Sequence, residues 1–174
     1  MAGSLTHNIK NICVFGGSSP EKEKKFLESW SGLAERKTHL VYGGGNLGLI
    51  ENVSTTAFWV GSQVLAINPN ALSKENITGK TVGEELKVLT MSDWIVAMLE
   101  HFDAFTAILV DSGILEEIFH ISSWTQLNIH RKPISLLNVN DFYNNLLFFL
   151  NHVVEQKFIT SSTQQIIISA VIAE

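Results

Sequence analysis

Five short apolar runs constrain this chain most: NICVFGG (11–17), HLVYGGG (39–45), QVLAINP (63–69), FTAILV (105–110) and PISLLNV (133–139). A strand with one wet face alternates apolar and polar residues. Runs of Val, Ile and Leu without that alternation belong to strands covered on both faces, as parallel strands are. Amphipathic patterns lie between them. Residues 21–36 put Phe26, Trp30 and Leu33 on one face and lysines and glutamates on the other, and 48–60, 91–102, 114–128 and 141–155 also have helical spacing. Strands alternating with helices predict an α/β fold, a doubly wound parallel sheet. Over 174 residues there is no repeat, low-complexity tract or interdomain linker, so one domain is expected across 1–174, with flexible tails at 1–9 and 170–174.

Composition removes several functions. A net charge of −5 gives no basic footprint for nucleic acid. No apolar run nears the roughly 18 residues needed to span a membrane, and the N-terminus lacks the apolar core of a signal peptide. An intracellular, cytoplasmic setting is expected, with the nucleus as a second location. Cys13 stands alone in an apolar run and reads as a buried, reduced thiol. The six histidines show no i,i+4 pair and have no second cysteine to join, so no metal site is expected. His120 reads as a surface or partner contact. Without a G-x-S-x-G motif, a nucleophilic serine elbow is also disfavoured. Trp30, Trp59 and Trp124 fit helical apolar faces, and LLFFL (146–150) reads as core or dimer face.

In a doubly wound sheet, ligands bind beyond the carboxyl ends of the strands. Four places qualify: Gly16 to Ser19, the loop Gly43-Gly44-Gly45-Asn46, the polar connection after Pro69, and Asp111-Ser112-Gly113. Glycines there let backbone N–H groups approach an anion, with a helix N-terminus behind them. Gly43-x-Gly45-x-x-Gly48 also fits the dinucleotide fingerprint, but the following strand ends in INPN, with no carboxylate for a ribose.

The segment after the fourth run carries the candidate chemistry. Asp111 or Ser112 suits the N-cap of the helix that follows. At 100° per residue Glu117 shares a sector with Ile114, Ile121 and Trp124, whereas Glu116 turns towards Ser123 and Leu127. Glu117 is therefore the carboxylate expected nearer the packed side, where desolvation tunes acid–base behaviour. Glutamates in a first helical turn also stabilise the helix dipole without any further role.

Taken together, VYGGGNLGLIENV, ITGKTVGE, DAF, LEE, WTQLNIH, KPISLLNV and FY resemble the cytokinin-activating Lonely Guy family, whose members are often mislabelled lysine decarboxylases. The similarity runs from about Ile12 to Ser169. It implies a Rossmann-like fold, a homodimer, and hydrolysis of the N-glycosidic bond of N6-substituted adenosine monophosphates to free base and ribose 5-phosphate. An adenine nucleotide, either a cytokinin riboside monophosphate or AMP, is the implied ligand, with no metal or organic cofactor.

The two family signatures are altered here. P-G-G-x-G-T-x-x-E falls on Leu109, Val110, Asp111, Ser112, Gly113 and Ile114, ending at Glu117; only Gly113 and Glu117 keep the fixed residues, and Glu116 matches a common one. M-x-x-R-K-x-x-M falls on Met91 to Met98, with Trp94 at the arginine and Ile95 at the lysine position. Asn76 replaces a glutamate before ITG, and Glu51 a glycine. Ser18 and the triple glycine fit. The resemblance thus implies Glu117 and position 94 for catalysis. For substrate binding it implies Ser18, Gly43, Gly44, Gly45, Asn76, Ile95, Asp111, Ser112, Gly113, Ile114, Glu116 and Ser123.

Physically, a carboxylate such as Glu117 stabilises an oxocarbenium-like sugar. An indole cannot replace a guanidinium on a phosphate, and losing one preorganised contact costs about 2.7–4 kcal/mol. Asp111 would oppose a phosphate: like charges 4 Å apart repel by about 4 kcal/mol at an effective dielectric of about 20. The chain's two arginines, Arg36 and Arg131, are both expected at the amino ends of strands, away from the crevice. Two readings follow: a phosphoribohydrolase with weak activity or a modified substrate, and a non-catalytic paralogue that binds nucleotide or partners an active subunit.

Overall fold

Seven parallel strands form the sheet of the computed structural model, which describes residues 9–16, 38–45, 48–70, 80–108 and 112–170. The strands are β1 (Asn11–Phe15), β2 (His39–Tyr42), β3 (Val64–Pro69), β4 (Glu84–Val88), β5 (Ala104–Ala107), β6 (Ile134–Leu137) and β7 (Ile167–Ala170). Their order is β4-β3-β2-β1-β5-β6-β7. The chain builds outward from β1 to β4, then returns to lay β5 against the other side of β1. Val14 pairs with Tyr42 on one flank and with Thr106 on the other. This is the doubly wound sheet expected, and its order reverses between β1 and β5.

All five apolar runs became strands. The two further strands are the edges, which the apolar-run criterion missed for a physical reason. An edge strand is covered less, so β4 keeps Glu84, Glu85 and Lys87 exposed and reads as polar chain. Edge strand β7 likewise exposes Ile168 and Ser169.

Alternate residues of each strand enter two separate cores. Ile12 and Val14 of β1 pack with Leu40, Tyr42 and Ala66 beneath α1 (Leu49–Trp59), which contributes Leu49, Val53 and Ala57. Cys13 and Phe15 face the other way, into a core shared with α2 (Met91–His101) and α3 (Ser112–Gln126) through Trp94, Met98, Ile118 and Ile121. Further along come α4 (Asn144–Glu155) and the short α5 (Ser161–Gln164). The LLFFL stripe splits: Leu150 is buried and Leu146 and Leu147 pack on the core, while Phe148 and Phe149 are exposed. Trp59 departs from its expected place. It ends α1 about 200° around the helix from Ala57 and is 82% exposed.

The expected helix over 21–36, the expected tails apart from Ile9 and Ala170, Ser18, Asn76, Asp111 and Arg36 lie outside the described residues. Ala170, expected in the flexible tail, instead ends β7 and pairs with Leu137. No helix among the described residues is long and apolar enough to cross a membrane.

Candidate active site

At the carboxyl edge, where the strand order reverses, a crevice of about 230 Å³ opens beyond the ends of β1, β2 and β3. Phe15 and Gly16 continue β1, Gly43 and Gly45 continue β2, and Pro69 ends β3. Gly113, Ile114 and Glu117 enter from the start of α3, and Met91 and Trp94 from the start of α2. This is the position that the topology reserves for ligands. A larger hollow of about 630 Å³ lies at the opposite edge, among His39, Ser62, Gln63, Glu84 and His101. It borders neither glycine loop nor Glu117, so size alone does not make it the candidate site.

Local sequence explains how Trp94 reaches the crevice. Thr90 caps α2 by accepting from Asp93 N–H at 3.0 Å, and the Asp93 carboxylate accepts from Thr90 N–H at 3.1 Å. This reciprocal capping box starts the helix at Met91 and points its first turn towards β3. The Trp94 indole N–H then donates to the Ile67 carbonyl at 2.7 Å. Its ring stacks on Phe15, with centroids 5.5 Å apart and an interplanar angle of 23°. At 5% exposure, Trp94 is part of the core. Ile95, at the lysine position, is buried too.

The glycine loop is shaped by what lies behind it. A Cβ on Gly43 would come 3.1 Å from the Trp94 ring. Gly44 has φ +75°, and a Cβ there would overlap the Asn68 carboxamide. Gly45 alone has open space in front of it. Two of the three glycines thus have a packing reason to be glycine. Asn68 is 2% exposed; its amide donates to Glu85 Oε1 at 2.8 Å while its Oδ1 has no hydrogen-bond partner. Asn68 belongs to the INPN run that ends β3, so the signal for it is an amide at a strand end beside a glycine loop, where a carboxylate criterion does not register it.

Glu117 is half-buried, as its helical sector predicts, and Glu116 is exposed. Glu117 reaches the inner core electrostatically: burial, and after it the Glu117 charge, push the Cys13 thiol well above its ordinary pKa. Cys13 is fully buried, in keeping with an inert thiol. On the outer side of Trp94 a second chamber, about 490 Å³, is walled by Trp94, Glu116, Glu117, His120 and Trp124. Glu117 borders both chambers.

His120, expected as a surface or partner contact, stands partly buried in the wall of the outer chamber. It turns its ring edge to Trp124, centroids 4.7 Å apart, and its buried Nε2 has no hydrogen-bond partner. The signal was its spacing: three residues beyond Glu117 and four before Trp124 place all three on one face.

Ser112 is the first residue of α3 rather than its cap, and Gly113 behind it lines both chambers. Ile114 lines the inner chamber with an apolar side chain. Ser123 borders neither chamber; its hydroxyl donates back to the Phe119 carbonyl at 2.7 Å. Arg131 precedes β6 and so sits at the amino edge of the sheet, as expected. Among the described lining residues neither chamber has a lysine or arginine, and Glu117 is the one ionisable group of the inner chamber. No metal-binding cluster of His, Cys, Asp or Glu occurs among the described residues.

Residues 50–174 match the family described as Possible lysine decarboxylase. The chain is 42% identical over 166 residues to cytokinin riboside 5'-monophosphate phosphoribohydrolase LOG7 of Arabidopsis thaliana, covering 93% of this chain and 76% of that protein. LOG1 of the same plant is 41% identical over 170 residues, covering 95% and 80%. Among solved structures, the X-ray structure of TM1055 superposes with a TM-score of 0.67 at 20% identity, over 94% of each chain. The molybdenum cofactor binding protein of Rippkaea orientalis gives 0.63 at 18% identity, over 94% of this chain and 90% of that one. At such identities these two structures bear on the fold alone.

Proposed function

This chain belongs to the Possible lysine decarboxylase family, alongside the plant cytokinin riboside 5'-monophosphate phosphoribohydrolases, and from that membership we propose that it hydrolyses N-ribosyl bonds of adenine-type compounds with impaired handling of the monophosphate. The observation that carries this reading is the place of Glu117: half-buried, at the strand-order reversal, bordering both chambers. In the reaction the bond from the anomeric carbon to the base nitrogen breaks and the oxygen of water bonds to that carbon. One proton of the water remains on the new hydroxyl and the other ends on the base. The Glu117 carboxylate stabilises the positive charge that develops on the sugar and orients the water. No cofactor enters these steps.

Impairment follows from the neighbours of Glu117. Trp94 and Ile95 stand where the resemblance expects arginine and lysine, and Ile114 where it expects a threonine hydroxyl. Asp111 adds a negative charge to the same segment of chain. A cytokinin riboside monophosphate or AMP would then bind weakly, through the glycine loop, Ser18 and Gly113. The same reading carries a homodimer and a cytoplasmic setting.

A second reading, a non-catalytic subunit that binds nucleotide or pairs with an active copy, is favoured by one observation. Trp94 is built into the core instead of being left free in the crevice.

Incubation with isopentenyladenosine and with its monophosphate, followed by chromatography of the free base, tests the proposal. Release of base that is lost in Glu117→Gln is expected, with the monophosphate slower by about 10²–10³-fold than for an active relative. Turnover of the monophosphate at the relative's rate would overturn the impairment. No Glu117-dependent release from either compound would leave the non-catalytic subunit as the reading.

A further inference from the structure

Resting on the glycosidic reading above, we infer that the crevice selects an uncharged N-ribosyl compound, a nucleoside without a 5'-phosphate, and that Trp94 is the residue that sets this preference.

Three observations converge on it. First, the Trp94 indole is held from three sides: its N–H on the Ile67 carbonyl, its face on Phe15, and its edge against Gly43. A ring so anchored cannot swing away to admit a phosphate without breaking a buried hydrogen bond. Second, the described lining of both chambers carries carboxylates and one imidazole but no lysine or arginine. A dianionic phosphate brought there would lose its hydration and face Glu117, with no cation among the described lining residues to compensate. Third, the inner chamber is small and mostly apolar at its walls, with Gly45 leaving room at its floor. Such a space suits a neutral sugar.

Glu117 borders both chambers, so a bond lying beside its carboxylate joins a group in one chamber to a group in the other. The outer chamber, with Trp124 and His120, offers a flat aromatic wall. It fits a planar heterocyclic base. The ribose then takes the inner chamber. Cleavage consumes one water and yields free base and ribose.

Calorimetric titration of the wild-type protein with adenosine and with AMP reads the preference without depending on catalysis. Adenosine is expected to bind at least about tenfold more tightly than AMP. Equal affinities, tighter AMP, or no binding of either would overturn the inference. Chromatographic assays of isopentenyladenosine and its monophosphate then test the glycosidic reading separately: preferential adenosine binding without release of base from either compound would sink the hydrolase reading and leave the ligand preference standing. Trp94→Arg is expected to bring the two affinities together or reverse them. Should that variant fail to fold, Trp94→Phe keeps an uncharged ring but loses the Ile67 anchor, and it is expected to narrow the preference for adenosine. An undiminished preference in Trp94→Phe would overturn the role given to Trp94.

Discussion

Trp94 Nε1 lies 2.7 Å from the carbonyl oxygen of Ile67, tying the first turn of α2 to the carboxyl end of β3 across 27 residues of sequence. The bond is buried, so its loss is not made good by water. Trp94→Phe keeps the stacking position against Phe15 but drops the donor, and is expected to lower stability by about 1 kcal/mol. Trp94→Ala also opens a cavity and should cost about 3–5 kcal/mol. Urea denaturation followed by circular dichroism distinguishes the two. Equal midpoints for wild type and Trp94→Ala would contradict a core role.

The glycine loop should separate folding from binding. Gly44→Ala places a side chain in a left-handed backbone conformation and drives its Cβ into Asn68. The conformation costs about 1–2 kcal/mol, and the overlap with Asn68 adds to it. Gly45→Ala meets nothing within 4 Å. It is expected to leave the urea midpoint unchanged while weakening nucleoside binding, because its methyl group occupies the floor of the inner chamber. A stability loss in Gly45→Ala as large as that in Gly44→Ala would contradict open space in front of Gly45.

His130 makes stability depend on pH. Its ring is 8% exposed; Nδ1 accepts from Lys132 N–H at 3.2 Å, which leaves Nε2 to donate to the Ile121 carbonyl at 3.0 Å. Burial lowers the pKa of this imidazole; the Ile121 carbonyl opposes the shift and the Lys132 charge adds to it. The folded protein therefore refuses a proton that the unfolded chain accepts. The stabilisation is present above the ordinary histidine value of about 6.5 and is lost as pH falls through that value towards the folded pKa. Urea midpoints measured from about pH 7.5 down to about pH 5.5 should fall less steeply in His130→Gln than in wild type. Identical slopes would assign the pH dependence to other groups.

Asp103 ties the start of β1 to the start of β5. One of its oxygens accepts from both the Lys10 and Asn11 N–H groups at 2.9 Å. Burial alone would raise its pKa; the two backbone donors, Lys132 and Lys10 outweigh it and hold the carboxyl below its usual value. Its contribution is thus present above the ordinary carboxylate value of 3.8 and lost as pH falls towards the folded pKa. Asp103→Ala should cost about 2 kcal/mol at neutral pH, with less of that difference surviving in acid. A variant as stable as wild type at neutral pH would rule out this anchoring.

Which segments are strands and helices was legible because apolar periodicity is local. Cys13 and Val14 sit next to each other, both buried, and that pattern alone announces a strand covered on both faces. Glu117 was legible for the same reason, since three and four residue spacings on a helix put it on the side of Ile114 and Ile121. The edge strand β4 was not, because a strand covered on one side keeps charges such as Glu85 and Lys87 that read as loop or helix.

The chain's own order of residues settled the layered α/β architecture, the glycine turns at the strand ends, and the identity of the residues that stand where the resemblance implies cations. Tertiary structure alone decided what those residues face. Trp94 meets Phe15, Gly43 and Ile67, residues of three different strand ends, and His120 becomes a chamber wall only once α3 has packed beside α2. The reason is that helix period and apolar runs depend on neighbours in sequence. Whether a side chain fills a crevice or opens it depends on partners brought together by the strand order.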